Sequence, residues 1–123
     1  MSESSFSGLE IIGDLKFCDQ FKLSSVKSGE FKEYLLSLIS KYQLTSVGFV
    51  GHDFDKGFTA IVALAESHIA IHTWPDQRYV SVDIHVCNYS RDNSQNAERL
   101  FNELCTYFSA ERIEKHTTNR SMA

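Results

Sequence analysis

The segment from Tyr79 to Cys87 alternates strictly between apolar and polar side chains, and this pattern constrains the fold more than any other stretch. In an extended strand, Val80, Val82, Ile84 and Val86 fall on one side and the intervening polar residues fall on the other. We expect the valine side to face a hydrophobic core beneath helices. The opposite side is too polar for a second core and too regular for a loop. It suits an active site or a subunit interface.

Further strands are predicted wherever short runs rich in β-branched and aromatic residues lie between polar turn residues. These runs cover residues 8–18, 45–50, 58–66 and 69–74, with a short closing strand at 111–115. Residues 51–57 are predicted to form a polar turn between two of them.

Two helices are predicted from apolar residues that recur at helical spacing, one over about residues 29–42 and one over 93–108. Ser28 is a suitable N-cap for the first helix. We expect residues 1–7 to fray and residues 117–123 to be mobile. This order of elements predicts an α+β fold, a two-layer α/β sandwich with a largely antiparallel sheet and two amphipathic helices on one face.

The size and charge of the chain narrow the classes of function that it could have. Its 123 residues suffice for a single domain spanning residues 1–123. The formal charge of -4 argues against a nucleic-acid partner, which requires a basic face, and suits a small cationic substrate.

Cys18, Cys87 and Cys105 are odd in number and widely spaced, which favours thiols in a reducing compartment. With neither a signal-like segment nor a long apolar run, we expect a cytoplasmic protein without a membrane partner.

A Glu66-Ser67 bond lies at the junction between the predicted strands 58–66 and 69–74, where it has no evident packing purpose. Taken alone, Ser67 would be interpreted as a structural residue in a tight connection between strands. His68, His72 and His85 could converge on a metal ion. However, the two histidines spaced by three residues lie on a predicted strand, and no cysteine pair has zinc-ligand spacing. No metal is therefore predicted.

Glu66-Ser67-His68 followed by His72-Thr73-Trp74-Pro75, with Asp83 and Cys87 downstream, resembles the small prokaryotic class of S-adenosylmethionine decarboxylases. The close match covers residues 57–87. The resemblance implies self-cleavage between Glu66 and Ser67 into a β chain, 1–66, and an α chain, 67–123. It also implies that Ser67 becomes a pyruvoyl group that forms a Schiff base with substrate, without metal or PLP.

The resemblance assigns roles to three further residues. His72 is implied to assist processing as an acid or base, a task for which imidazole is suited near neutral pH. Thr59 is implied to supply a hydroxyl for processing, although alone it would be an ordinary strand residue. Cys87 is implied to return a proton to the substrate carbon, whereas most lone cysteines are small buried hydrophobes. A homodimer of cleaved protomers, with sites at or near the interface, is also implied.

The substrate-recognition half departs from the family pattern. Asp76 stands where the family more often has Glu, at a position implied to bind the ribose hydroxyls, and Phe54 corresponds to an aromatic that stacks on adenine. The proline expected between Phe54 and Gly57 is missing. Asp53 or Asp55 could instead pair with the amine of ornithine or the guanidinium of arginine. Two alternatives to the family activity therefore stay open, namely the same chemistry on arginine or ornithine, and a catalytically inactive regulatory paralogue.

Overall fold

The fold is a six-stranded sheet with helices packed against one side, seen in a computed structural model that describes residues 7–88 and 91–121. Every strand pairing in the sheet is antiparallel, and the strand order is β2-β3-β4-β5-β1-β6. The strands are β1 Ser7–Lys16, β2 Ser46–Asp53, β3 Phe58–Leu64, β4 His68–Trp74, β5 Tyr79–Cys87 and β6 Arg112–Ser121. The helices are α1 Gln20–Ser25, α2 Ser28–Lys41 and α3 Ser94–Tyr107, with a 3-10 turn at Pro75–Gln77. The predicted α+β sandwich is confirmed.

The core lies between the sheet and the helices, on the side that the β5 pattern predicts. All four apolar residues of β5 are buried on this side. The apolar stripes of α2 and α3 are buried as well. At the end of the core near β3, the Phe31 ring packs 5.1 Å from that of Phe58 and 5.6 Å from that of Phe108. Burial of large aromatic rings of this kind contributes strongly to stability.

The helical layer differs from the prediction in two respects. Ser28 is the first residue of α2 and not its N-cap. Its backbone N–H and its hydroxyl both donate to the carboxylate of Asp53, at 2.8 and 2.9 Å. The negative charge of a carboxylate at this position also interacts favourably with the positive end of the helix dipole. The short helix α1 was not predicted, although the Asp19 side chain caps it by accepting from the backbone N–H groups of Phe21 and Lys22.

Several strand ends also differ from the prediction. β1 ends at Lys16 because Phe17 has a φ of 54°. β2 continues to Asp53, so only residues 54–57 form the turn, which closes where the Phe54 N–H donates to the Gly57 carbonyl at 2.9 Å.

The two ends of the chain are more ordered than predicted. β6 extends to Ser121, so the predicted mobility of 117–121 is wrong. Backbone pairing with β1 over ten residues orders this polar segment. Ser7 belongs to β1, whereas residues 1–6 and 122–123 of the predicted frayed ends lie outside the described residues.

The side of the sheet away from the helices, here called the open face, is covered by no second layer among the residues that the structure describes. One row of cross-strand neighbours crosses it, called the middle row: Val50, Ile61, Ala70, Asp83 and Ile12. Val50 is 67% exposed, Ile12 44% and Ile61 40%. Adjacent apolar side chains that are this exposed mark a surface suited to a partner. None of the helices in residues 7–88 and 91–121 has the length and apolarity needed to cross a bilayer.

Candidate active site

Ser67 lies in the tight turn that joins β3 to β4, as the sequence predicts. The Leu64 N–H donates to the Ser67 carbonyl at 2.9 Å, and the Ser67 N–H donates back to the Leu64 carbonyl at 3.4 Å. Ala65 and Glu66 therefore form the two-residue tip of a β-hairpin. Both tip residues are exposed. The Glu66-Ser67 bond is thus held in a short constrained turn at the surface.

Ser67 and Cys87 line the same cavity of about 340 Å³, called the turn cavity. Cys87 ends β5, which pairs with β4 so that His68 faces His85, and this register brings the end of β5 beside the hairpin. The cavity is within the usual range for ligand sites, about 300–1,000 Å³. The fold therefore places the predicted pyruvoyl precursor and the predicted proton donor around one space.

A polar network forms one wall of the turn cavity. The Asn93 side-chain amide donates to the Cys87 carbonyl at 2.9 Å, and the Arg91 Nε donates to the Asn93 Oδ1 at 3.1 Å. The Arg91 Nη1 donates to the Gln43 Oε1 at 2.9 Å, and its Nη2 contacts the Gln43 carbonyl. Sequence reasoning did not identify these residues. The available signal was a polar segment containing a cation four residues after Cys87.

His72 and Thr59 lie together on the open face, at the other end of β4. They are direct cross-strand neighbours, and the Thr59 Oγ1 is 2.9 Å from the His72 Nδ1. This hydrogen bond fixes the ring and leaves Nε2 for other chemistry. Both residues line a second cavity of about 350 Å³, called the aromatic cavity, together with Phe54 and Trp74.

The predicted substrate-binding residues divide between the two sides of the sheet. Phe54 lines the aromatic cavity. Lys56 also lines this cavity, and its Nζ forms an ion pair with the Asp76 carboxylate at 3.1 Å. The Asp53 carboxylate instead turns toward α2, where Ser28 lowers its pKa through the hydrogen bonds described above. Asp55 is exposed in the turn. The structure therefore brings Phe54 to His72 and Thr59 and ties Asp76 to the wall of their cavity through Lys56, whereas Asp53 lies on the other side of the sheet.

The two cavities are too far apart to form one site within a single chain. His72 follows Ser67 by five residues of extended chain, which at ~3.3 Å per residue is about 16 Å. Proton transfer needs heavy atoms within about 2.6–3.2 Å of each other, or one water between them. The predicted catalytic residues therefore form two groups, with Ser67 and Cys87 at one end of β4 and Thr59 and His72 at the other.

The surface between the two cavities carries a polar cluster around Asp83. Burial, followed by the nearby Glu10 carboxylate, raises the pKa of the Asp83 carboxyl above its ordinary value. Its Oδ1 is buried without a hydrogen-bond partner. Burial lowers the pKa of His85, whose ring lies 5.6 Å from that of His68. Among the described residues, no three His, Cys, Asp or Glu side chains are grouped so that they could hold a metal ion.

The other two cysteines are not placed for chemistry. Cys18 and Cys105 are buried in the core, and burial raises the pKa of each thiol to about 11. A thiol with so high a pKa is almost entirely protonated near neutral pH and is a poor nucleophile. The prediction that both are small buried hydrophobes is confirmed. Cys87 differs because it is only partly buried and lines a cavity.

Comparison with known proteins gives the same family from sequence and from structure. The model of the S-adenosylmethionine decarboxylase family matches residues 9–121. The S-adenosylmethionine decarboxylase proenzyme of Aquifex aeolicus is 32% identical over 116 residues, which cover 94% of this chain and 82% of the relative. That of Archaeoglobus fulgidus is 34% identical over 84 residues, which cover 68% of this chain and 71% of the relative.

The three-dimensional comparison extends this likeness to the whole fold. The crystal structure of the adenosylmethionine decarboxylase from Aquifex aeolicus superposes with a TM-score of 0.81 at 29% sequence identity. The superposition covers 94% of this chain and 91% of that one. The family-model match over residues 9–121 includes the hairpin that carries Ser67, the strand that ends in Cys87 and the strands that carry Thr59 and His72. The chain belongs to the S-adenosylmethionine decarboxylase family.

Proposed function

We propose that the chain is a cytoplasmic, self-processing proenzyme of a pyruvoyl-dependent S-adenosylmethionine decarboxylase in polyamine biosynthesis. The observation that carries this proposal is the exposed Glu66-Ser67 bond in a tight hairpin, beside the cavity that Ser67 shares with Cys87. Family membership supports the reaction and does not favour an inactive regulatory paralogue. Neither a metal nor PLP is required.

Ser67 is proposed to generate the reactive group from its own backbone. Its Oγ attacks the Glu66 carbonyl carbon, the new C–O bond forms and the C–N bond breaks, so an ester replaces the amide. Loss of the Ser67 α-proton and cleavage of the Cβ–Oγ bond then release residues 1–66 with a free Glu66 carboxylate. Water finally replaces the nitrogen at Cα, ammonia leaves, and a pyruvoyl group remains at the start of residues 67–123.

The residues around the turn cavity fit this group. Once formed, the pyruvoyl group supplies an electrophilic carbonyl and an electron sink for loss of carbon dioxide. The new chain end at residue 67 stays anchored because His68 begins β4 and pairs with His85. Cys87 holds a proton at the cavity wall for delivery to the substrate carbon. The Asn93 amide fixes the Cys87 backbone through its carbonyl.

A complete site is proposed to form between two copies of the chain. His72 lies about 16 Å along β4 from Ser67, with Thr59 beside it on β3, so both are too far away to assist its cleavage directly. A two-fold axis along the middle row would place two open faces against each other. It would also set the turn cavity of one copy over the aromatic cavity of its partner. Exposed Val50 and Ile61 and the unpartnered Oδ1 of Asp83 support covering this face.

The aromatic cavity is proposed to receive the adenosine part of the substrate. Phe54 offers a ring for adenine, and Asp76 is held by Lys56 of the cavity wall, from where its carboxylate can accept from ribose hydroxyls. The alternative substrates, arginine and ornithine, require a carboxylate for their distal cation. Of the two candidates, Asp53 is already engaged with Ser28, which leaves Asp55.

The substrate is tested by measuring release of carbon dioxide from carboxyl-labelled S-adenosylmethionine, arginine and ornithine by the purified protein. We expect release from S-adenosylmethionine alone, and none from any substrate with the Ser67→Ala variant. Replacing Phe54 by Ala should raise KM for S-adenosylmethionine. Release from arginine or ornithine with S-adenosylmethionine inert would overturn the substrate assignment. An Asp55→Asn variant would then identify the residue responsible.

A further inference from the structure

The turn cavity must accept the carboxylate of the substrate as well as its amine. This requirement rests on the proposed function, because both groups are attached to the same carbon and the amine must reach the group derived from Ser67. The described residues that line the cavity include only two charged side chains, Glu66 and Arg91. We propose that Arg91 binds the substrate α-carboxylate and thereby distinguishes the amino acid from its decarboxylated product.

Arg91 has donors to spare for this task. A guanidinium carries five N–H donors. Three donate to neutral oxygens, one on Asn93 and two on Gln43, which leaves two. Other arginines of the chain pair with carboxylates, namely Arg78, Arg112 and Arg120. Arg91 forms no such pair within the described residues. Its charge is therefore available to a ligand.

The network around Arg91 also holds the guanidinium in position before a ligand arrives. Gln43 belongs to the connection between α2 and β2, whereas Asn93 immediately precedes α3 and contacts Cys87. The guanidinium bridges these two loops across the wall of the cavity. A planar donor group fixed in this way loses little further entropy when it binds a carboxylate, and it matches the carboxylate geometry.

The proposed contact determines which kinetic constant Arg91 controls. It exists while the carboxylate is present and disappears when carbon dioxide leaves. It therefore strengthens binding of the substrate and permits release of the product, without specific stabilisation of the transition state. Loss of the contact should raise KM and leave kcat unchanged or slightly higher.

The experiment compares the wild-type enzyme with Arg91→Gln, Arg91→Lys and the control Arg99→Gln, which alters an exposed arginine on α3. Cleavage is quantified first by mass spectrometry, so that kinetic constants refer to processed protein. We then measure KM and kcat for S-adenosylmethionine and the inhibition constant of decarboxylated S-adenosylmethionine. For Arg91→Gln we expect KM to rise about 10- to 100-fold while the inhibition constant changes less than about 2-fold.

The other variants and outcomes make the test decisive. Arg91→Lys retains the charge without the planar fork, so its KM should lie between those of wild type and Arg91→Gln. Arg99→Gln should match wild type. An equal rise in KM and in the inhibition constant, or no change in either, would overturn the proposal and leave Arg91 as a purely structural bridge. If wild-type protein released no carbon dioxide from any amino acid, the proposed function itself would fail, and this inference with it.

Discussion

Two inactive variants should restore processing to each other if each site uses two copies of the chain. The first variant, His72→Ala, retains Ser67 but lacks the imidazole beside Thr59. The second variant, Ser67→Ala, retains His72 but has no hydroxyl to attack the Glu66 carbonyl. In a mixed dimer, Ser67 of the first copy would face the intact His72 of the second. One complete site would therefore form.

The expected size of the effect follows from the geometry and from chance pairing. Removing a general acid or base slows a step about 10²- to 10⁴-fold, so His72→Ala alone should stay largely uncleaved. When equal amounts of two chains pair at random, about half of the His72→Ala chains meet a Ser67→Ala partner in a two-fold dimer. About half of the Ser67-bearing chains should then be cleaved after co-expression.

The assay is co-expression of differently tagged chains followed by intact mass spectrometry of the denatured mixture. The matched control pairs His72→Ala with the double variant Ser67→Ala/His72→Ala, which can dimerise but brings no imidazole. Rescue by Ser67→Ala and not by the double variant is expected. Absence of rescue, with mixed dimers shown by tag pull-down, would refute a site shared between two copies and require His72 to act within its own chain.

Four further perturbations test separate parts of the structure. Cys87→Ser should still self-cleave but decarboxylate about 10²-fold more slowly, and normal turnover would exclude a proton-donor role. Gly57→Ala, studied in the Ser67→Ala background, should lower the free energy of unfolding by about 1–3 kcal/mol in urea titrations. Gly57 has a φ of 95°, and its added Cβ would lie 2.3 Å from the Thr73 carbonyl oxygen. Thr73→Val should cost about 1–3 kcal/mol by leaving the buried Phe58 N–H, now 2.9 Å from the Thr73 Oγ1, without an acceptor. A loss below about 0.5 kcal/mol in urea titrations would contradict this. Asp83→Asn should raise the free energy of unfolding at pH 7, and urea midpoints measured from pH 4 to pH 8 check the pH dependence.

The sign of the Asp83 effect follows from the direction of its pKa shift. Burial and the Glu10 carboxylate raise the pKa in the folded protein, and the nearby His68 and His85 oppose this only in part. The protonated carboxyl therefore favours the folded state. Its stabilising contribution is complete below the ordinary pKa and is lost as pH rises through the raised folded value. Asparagine avoids this loss, so the advantage of Asp83→Asn should shrink toward pH 4. A less stable variant at pH 7 would contradict the assignment.

The sequence predicts those parts of the fold whose signal is local. The alternation in β5 identifies the buried side, and the helical stripes locate α2 and α3 to within one residue at either end. By contrast, Thr117 to Ser121 carry no apolar pattern and are ordered by backbone pairing with β1. Such pairing depends on a partner strand about 100 residues away. Local composition therefore gave no indication of it.

The sequence likewise predicts some parts of the candidate site and not others. The motif around Ser67 predicts the hairpin and its cavity with Cys87, because neighbouring antiparallel strands bring these positions together. The motif gives no sign that Ser67 and His72 belong to different cavities, because five residues appear close in sequence but span about 16 Å in a strand. The charge of Asp53 suggests substrate binding, yet its side of β2 faces α2. The sequence gives no local signal for Arg91, because its position in the cavity wall depends on contacts with Gln43 and Asn93.

Intact mass spectrometry of the purified, denatured protein tests the self-processing of Ser67 most directly. We expect two fragments that break between Glu66 and Ser67, with a pyruvoyl group in place of serine at the start of the second. The pyruvoyl group should also disappear on treatment with hydroxylamine or borohydride, with the corresponding mass changes. A single chain of 14.0 kDa that stays intact after long incubation would contradict self-processing at this bond.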